Sequence, residues 1–143
     1  MVEAAIILMV FLTLVLGMMD LGIAVFRHHV VSQAARQGAR RAIVHGKLAP
    51  DGWEGGPWGP DAYTRTGVGT APDGDPIADA MRPHVAALDP SSVTIGVTWP
   101  DGDDKIEDRV RVTVSTTWTP IMTFIFGGIE RTLSASSAMP IAH

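Results

Sequence analysis

One apolar stretch near the N-terminus most constrains what this chain can fold into. Residues 4–26 read AAIILMVFLTLVLGMMDLGIAVF, and Asp20 is the one charged residue among them. A bilayer-spanning helix needs about 20 mainly apolar residues, so this stretch is long enough to span. A secretory signal peptide has a basic start and a shorter apolar core, whereas here Glu3 precedes the stretch and no Lys or Arg does. We therefore predict a retained transmembrane segment over residues 1–26.

The helical pattern continues beyond this segment without a break. Residues 27–45 read RHHVVSQAARQGARRAIVH, with small and aliphatic side chains on one face and arginines and glutamines on the others. A face of small residues is typical of a helix that packs closely against a neighbour. Gly46 is a natural stop. We predict one helix from Ala4 to His45, about 60 Å long at 1.5 Å per residue, so that residues 27–48 form a protruding amphipathic helix.

Charge is distributed unevenly along the chain. Residues 27–50 carry five basic and no acidic side chains, whereas residues 51–143 carry thirteen acidic and six basic ones. An acidic outer domain argues against nucleic acid as a ligand, because phosphate binding needs a basic face. The basic block directly follows the apolar segment, where lipid head groups or acidic partners would meet it. The absence of cysteine excludes disulfides, iron–sulfur clusters and thiol catalysis within this chain.

A Gly- and Pro-rich linker is predicted over residues 49–75. Its repeated DG, GGP, WGP and PDG sequences favour turns, and we expect neither helix nor strand there. Three aromatic residues are interleaved, namely Trp53, Trp58 and Tyr63. They either fold back over the sheet as a loop cover or form an exposed contact surface for a partner, since Trp and Tyr are favoured anchors at interfaces.

A small head is predicted over residues 76–143, beginning with a short helix. Asp75 is a suitable N-cap, and Pro76 fits the first helical position. The apolar residues that share one helical face are Ile77, Ala80, Met81, Val85 and Leu88. Pro83 should kink or split this helix. We expect it to pack on a sheet.

Three alternating segments predict that sheet. Residues 93–99 and 109–118 alternate apolar and polar side chains, and residues 133–141 do so more weakly. The first two are close enough in sequence to form an antiparallel hairpin. Between the second and third lies Pro120 followed by IMTFIFGG, too short to span, which predicts a helical plug on the sheet or an element touching the membrane surface. The predicted fold class is α+β: a long transmembrane and stalk helix followed by a small antiparallel sheet with a short helix.

Few residues suggest chemistry. The acidic loop DGDDKIED, residues 101–108, is the best metal candidate, because clustered carboxylates can supply the oxygens that calcium prefers. Its spacing is not that of an EF-hand, and the alternative is a solvated hairpin tip. No nucleophile elbow and no Gly-rich phosphate loop is present. We expect no catalytic residues, no cofactor and no enzymatic activity.

Two acidic residues in the apolar segment point to assembly. Glu3 stands near its start and Asp20 lies deep in it or at its far boundary. An acid inside a membrane is costly and usually has a partner. Because a lone span offers none, either acid could pair with a basic or amino group of an adjacent copy. The alternative for Glu3 is an interfacial residue that reaches water at the end of the span.

Three motifs in order carry a family resemblance. They are VEAAIILMVF, the GMMDLG step from Gly17 to Gly22, and SQAARQGARRA from Ser32 to Ala42. Together they resemble the N-terminal region of the TadE-like family, pilin-like proteins of the tight-adherence (Flp) pilus system. Over residues 76–143 the resemblance is limited to the order of strand, Thr-Pro, apolar segment and strand.

The resemblance implies a single-pass bacterial membrane protein, with a cytoplasmic N-terminus and an extracytoplasmic head, that acts as a minor pilin or pilus-assembly factor. Its implied partners are other pilin-like subunits, the assembly machinery, membrane lipid and a prepilin peptidase. Glu3 matches by context the pilin glutamate thought to neutralise a neighbour's amino terminus. It stands third, not fifth after a glycine cleavage point, so either translation starts upstream with a basic leader or this member is not processed.

The predicted assembly interface lies on the N-terminal helix. Its candidate residues are Glu3, Gly17, Asp20, Gly22, Ala34, Ala35, Gly38 and Ala39, with Val10 and Leu14 as further contact positions. The partner-contact candidates in the linker are Trp53, Trp58 and Tyr63. The alternative function is a single-span anchored binding module that captures a ligand through these aromatic residues and uses the helix only as a tether.

Overall fold

The computed structural model describes residues 2–50, 57–68, 74–121 and 130–142. Within these ranges the elements, in chain order, are α1 (Val2–Ala42), β1 (Tyr63–Thr66), α2 (Pro76–Val85), a 3-10 turn (Pro90–Ser92), β2 (Thr94–Thr98), β3 (Arg109–Trp118) and β4 (Arg131–Pro140). The α+β class predicted from the sequence is therefore confirmed: a long N-terminal helix, a short helix and a small antiparallel sheet.

The first helix is continuous, as predicted. α1 runs for 41 residues through both the apolar stretch and the basic segment that follows it. It ends at Ala42 rather than His45. The backbone N–H of His45 donates to the carbonyl of Ala42 at 3.1 Å, a tighter bond that closes the last turn. The predicted end of the helix, His45, therefore lies three residues beyond the observed end, Ala42.

The four strands form one antiparallel sheet in sequence order, β1-β2-β3-β4. β2 and β3 pair as the predicted hairpin, with Val97 opposite Val112. β4 pairs along the whole length of β3, with Trp118 opposite Arg131 at one end and Arg109 opposite Pro140 at the other. The buried face of β3 carries Val110, Val112, Val114 and Thr116, in the predicted period of two.

The expectation that residues 49–75 hold no strand is wrong. β1 lies within them and pairs with β2, placing Tyr63 opposite Val97 and Arg65 opposite Ile95. Its sequence, Tyr-Thr-Arg-Thr, contains an aromatic and two β-branched residues, which suit a pleated and half-buried surface. The Gly- and Pro-rich sequences on either side conceal this short strand.

The second half of α1 covers the sheet and completes the core. α1 lies against β3 and β4. The sequence predicted that α2 packs on the sheet, whereas in the structure it packs mainly on α1. α2 remains one helix through Pro83, so the proline does not split it. The fully buried side chains shared by these layers include Val31, Ile77, Met81, Ile95, Val97, Val110 and Val112. Burying each such aliphatic side chain contributes about 1.5–3 kcal/mol before the cost of ordering it.

β3 runs antiparallel to α1, which fixes where each end of the sheet lies. Gly38 of α1 faces Val112. The N–H of Ile121, just beyond β3, meets Asp20. The N–H of Ala142, just beyond β4, donates to the carbonyl of Ile43 at 3.0 Å. One end of the sheet therefore lies beside the middle of α1, and the other lies beside the end of α1.

Candidate functional site: the N-terminal helix and its junction with the head

The first half of α1 is apolar and exposed. Among the described residues, α1 is the one helix long and apolar enough to cross a membrane, with a mean hydropathy of 2.5 over its best window and 6% of that window buried. Met9 and Met18 are both 71% exposed. The core helix of a water-soluble protein would have these side chains covered. Residues 2–19, which we call the free segment, have no buried residue, and burial begins at Asp20.

Asp20 marks the junction between the free segment and the head. Its residue surface is 4% exposed, and its Oδ1 accepts a hydrogen bond from the N–H of Ile121 at 2.9 Å. A buried carboxylate needs such donors to offset its loss of water. The chain itself therefore supplies a donor to Asp20. Its pairing with a group of an adjacent copy stays a prediction.

The small residues of the second half of α1 contact the chain's own head. Ala34, Ala35, Gly38 and Ala39 are all buried in the core. A Cβ built on Gly38 would lie 2.5 Å from Sδ of Met81 and 3.0 Å from Cγ1 of Val112. These four residues allow close packing, as predicted, but the surfaces that they contact are α2 and the sheet. Their place in an interface between subunits stays a prediction.

The remaining candidates on α1 stay predictions. Glu3 lies in the first turn of α1, where a negative charge interacts favourably with the helix dipole. Gly22 is exposed, and a Cβ added there would meet no atom within 4 Å. Gly17 is half-buried, at the level where the helix approaches the head. Val10 and Leu14 are 56% and 58% exposed and lie on the free segment. All five are placed where a neighbouring helix or lipid would meet them.

Two of the three predicted aromatic contacts lie in the described residues. Trp58 stacks on His45, with ring centroids 3.6 Å apart and planes 9° from parallel. Tyr63 is half-buried at the start of β1. Both line a cavity of about 290 Å³ together with Trp99, which sequence reasoning placed in a strand without a binding role. Trp53 lies outside the described residues, as does most of the apolar segment after Pro120, residues 122–128.

Asp75 connects this cavity to α2. As predicted, it caps the helix, accepting hydrogen bonds from the N–H groups of Ile77 at 2.9 Å and Ala78 at 3.3 Å. It also accepts from the Tyr63 hydroxyl at 3.3 Å and lies 3.4 Å from Nε of Arg65. These last two contacts join β1 to α2, and no sequence pattern indicates them because they depend on the placement of β1.

The acidic loop binds its own basic neighbours. The Arg109 guanidinium donates to Asp101 at 2.8 Å and, with the Arg109 backbone N–H, lowers the pKa of Asp101 to about 2. Lys105 pairs with Asp103 and lowers its pKa to about 2 as well. The backbone N–H of Lys47 donates to the carbonyl of Asp104 at 3.0 Å, which holds the loop beside the end of α1.

No metal centre is formed by the residues that the structure describes, which include the whole of residues 101–108. No group of three or more His, Asp or Glu side chains among them is arranged to hold an ion. The loop therefore has the geometry of an ion-paired hairpin tip, the second of the two interpretations raised by the sequence.

A match found among known protein families covers α1 almost to its end. Residues 1–40 match a family model described as TadE-like protein. No curated protein and no solved structure matches the chain. The matched residues include the free segment, the junction at Asp20 and most of the helix that covers the sheet. The three motifs that resemble this family all begin within the match, so the N-terminal segment of this chain is similar to the TadE-like family model over residues 1–40.

Proposed function

We propose that this protein is a TadE-like minor pilin or pilus-assembly factor that acts in a tight-adherence (Flp) pilus or a related secretion assembly. The observation that carries the proposal is the free segment: residues 2–19 form an apolar, mostly exposed helix without a buried residue, within the region that matches the family model. Such a surface is stable only in lipid or against other apolar helices.

The division of α1 supports a role for the free segment in both membrane insertion and assembly. The second half of the helix is occupied by the chain's own head, so it anchors the sheet and α2. The free segment is about 27 Å long at 1.5 Å per residue, close to the hydrocarbon thickness of about 30 Å. In this proposal the N-terminus lies in the cytoplasm, the head lies outside, and the partners are pilin-like subunits and the assembly machinery.

The role proposed is structural, not catalytic. The polar contacts of the described residues include a helix cap at Asp75, ion pairs at Asp79, Asp101 and Asp103, and a backbone contact at Asp20. Each has a partner within the fold that explains its presence. Nothing in their geometry combines a nucleophile with a base.

A helix exchange tests the proposal. The free segment is replaced by an unrelated apolar helix of the same length, and the chain is expressed in cells that carry its pilus genes. We expect the exchanged protein to reach the membrane with a folded head but to lose co-purification with pilin-like subunits. A matched control, Met9→Leu, keeps the native segment and should retain co-purification. Undiminished co-purification of the exchanged protein would contradict the proposal.

A second candidate function is supported by the cavity beside β1. Trp58, Tyr63 and Trp99 line it with Arg65 and Asp75, a combination of aromatic faces and polar groups suited to a small ligand. Under this alternative the helix is only a tether, and the helix exchange would leave function intact. A Trp58→Ala variant that loses function while it retains subunit co-purification would favour the binding module.

A further inference from the structure

A groove runs between α1 and the end of the sheet nearest Asp20. Its volume is about 440 Å³. The helix contributes an apolar lining together with the polar residues Thr13 and Asp20, and the end of the sheet contributes Trp118, Pro120 and Arg131. The apolar lining residues of the helix are Leu14, Gly17, Met18, Leu21 and Ala24. The helix wall is apolar apart from Thr13 and Asp20, and Oδ1 of Asp20 accepts a hydrogen bond from the N–H of Ile121. A groove with this lining holds hydrocarbon better than water or a polar peptide.

The groove is continuous with the surface that would face lipid. Its helix wall begins at Thr13, inside the free segment, and ends at Ala24, just beyond the junction at Asp20. That wall is about 16 Å long at 1.5 Å per residue, close to half of the hydrocarbon thickness of about 30 Å. If residues 2–19 lie in the bilayer, the groove opens sideways into the leaflet on the side of the head.

The sheet end of the groove combines an aromatic ring and a cation. Trp118 and Arg131 lie opposite each other at the last pair of β3 and β4. Opposite residues of an antiparallel ladder point to the same face, and Trp118 follows the inward period of Val110 to Thr116. Tryptophan favours the membrane interface, and an arginine guanidinium donates well to phosphate. Arg131 is exposed and makes no ion pair with another residue of the described ranges.

We propose that this groove is a phospholipid site, with one acyl chain along the helix wall and the lipid phosphate on Arg131. The occupant fits in both chemistry and direction, because the apolar wall lies towards the membrane and the cation lies at the head. Anionic phosphatidylglycerol should bind better than phosphatidylcholine, since its phosphate charge is not offset by a choline. The proposal rests on the membrane insertion of the proposed function but not on any pilus partner.

Native mass spectrometry of the full chain in detergent micelles, titrated with dioleoyl phosphatidylglycerol, tests the site. We expect the wild type to retain one lipid, Arg131→Ala to bind it about tenfold more weakly, and Ala24→Phe to lose it because the ring fills the groove. Arg111→Ala is the matched control, since Arg111 is an exposed arginine of β3 on the opposite face of the sheet. It should bind as the wild type does, and inorganic phosphate should not compete.

The outcomes separate this site from the proposed function. Equal lipid binding by the wild type and Arg131→Ala would overturn the site. So would a chain that floats with vesicles but retains no lipid, a result that leaves membrane insertion intact. Because the chain has no native cysteine, a Met18→Cys variant also reports on a rival occupant. Disulfide-linked copies that exclude lipid would assign the groove to a second helix and overturn the phospholipid site.

Discussion

Gly38 shows at the scale of one residue how closely α1 meets the head. Its missing side chain leaves room for Met81 and Val112, which would lie 2.5 Å and 3.0 Å from an added Cβ. Gly38→Leu should therefore destabilise the head by about 1–3 kcal/mol through overpacking. Thermal unfolding of the purified chain, followed by near-ultraviolet circular dichroism, measures this loss.

Gly22 provides the matched control for that substitution. It lies on the same helix, but a Cβ there would meet nothing within 4 Å. Gly22→Ala should leave the unfolding midpoint unchanged or raise it, because alanine is favoured over glycine inside a helix by about 0.5–1 kcal/mol. Equal losses at the two glycines would contradict the packing described for Gly38.

A second prediction at the residue scale concerns pH. Asp101 has a pKa lowered from 3.8 to about 2 by Arg109. A carboxyl with a lowered pKa in the fold contributes stability above its ordinary pKa and loses it as pH falls towards 2. Asp101→Asn should therefore lower the midpoint of thermal unfolding at pH 6, and the difference from the wild type should vanish near pH 2. A difference that persists undiminished at pH 2 would show that the charge plays no part.

At the scale of elements, the contact of Asp20 with Ile121 links the membrane end of α1 to the end of β3. Asp20→Leu removes the acceptor of a part-buried N–H, whereas Asp20→Asn keeps an oxygen in the same place. The leucine variant should lose about 1–3 kcal/mol of local stability, which is about 5- to 150-fold in amide exchange at Ile121. Hydrogen exchange measured by mass spectrometry checks this. Equally fast exchange in both variants would exclude the carboxyl oxygen as the stabilising group.

The elements with a long and regular pattern were predictable from sequence. The apolar run and the small-residue face specify α1, the Asp75-Pro76 pair specifies the start of α2, and alternation specifies β2 and β3. β1 was missed because four residues between Gly- and Pro-rich sequences give too short a pattern. Strand pairing supplies its stability, and pairing between distant segments is not written in local periodicity.

The partners of surfaces were less predictable than the surfaces themselves. The alanines around Gly38 indicate close packing. The sequence of such a small-residue face does not distinguish packing against another subunit from packing against the chain's own sheet. The position of Asp20 in the apolar segment likewise predicts that this acid needs a partner. It does not predict the donor, the N–H of Ile121, which lies 101 residues away in the sequence. Trp118 lies opposite Arg131 because of the register in which β3 and β4 pair. The sequence of either strand alone therefore does not predict the groove.

At the scale of the whole molecule, the two halves of α1 have different surroundings. Its second half is the central helix of a small α+β head, and its first half is a mostly exposed apolar segment with no buried residue before Asp20. The junction between them lies at Asp20, near the boundary predicted for a bilayer span. This division leaves residues 2–19 as the surface through which the chain would meet lipid and other helices.

The most direct test of this account places a photo-crosslinking side chain at Val10, in cells that carry the pilus genes, and identifies the products by mass spectrometry. Ser134, exposed on the outer face of β4, is the control position. We predict that the Val10 variant crosslinks to a pilin-like subunit and that the Ser134 variant does not. Crosslinks from Val10 to lipid alone, or the same subunit captured from both positions, would contradict assembly through the free segment.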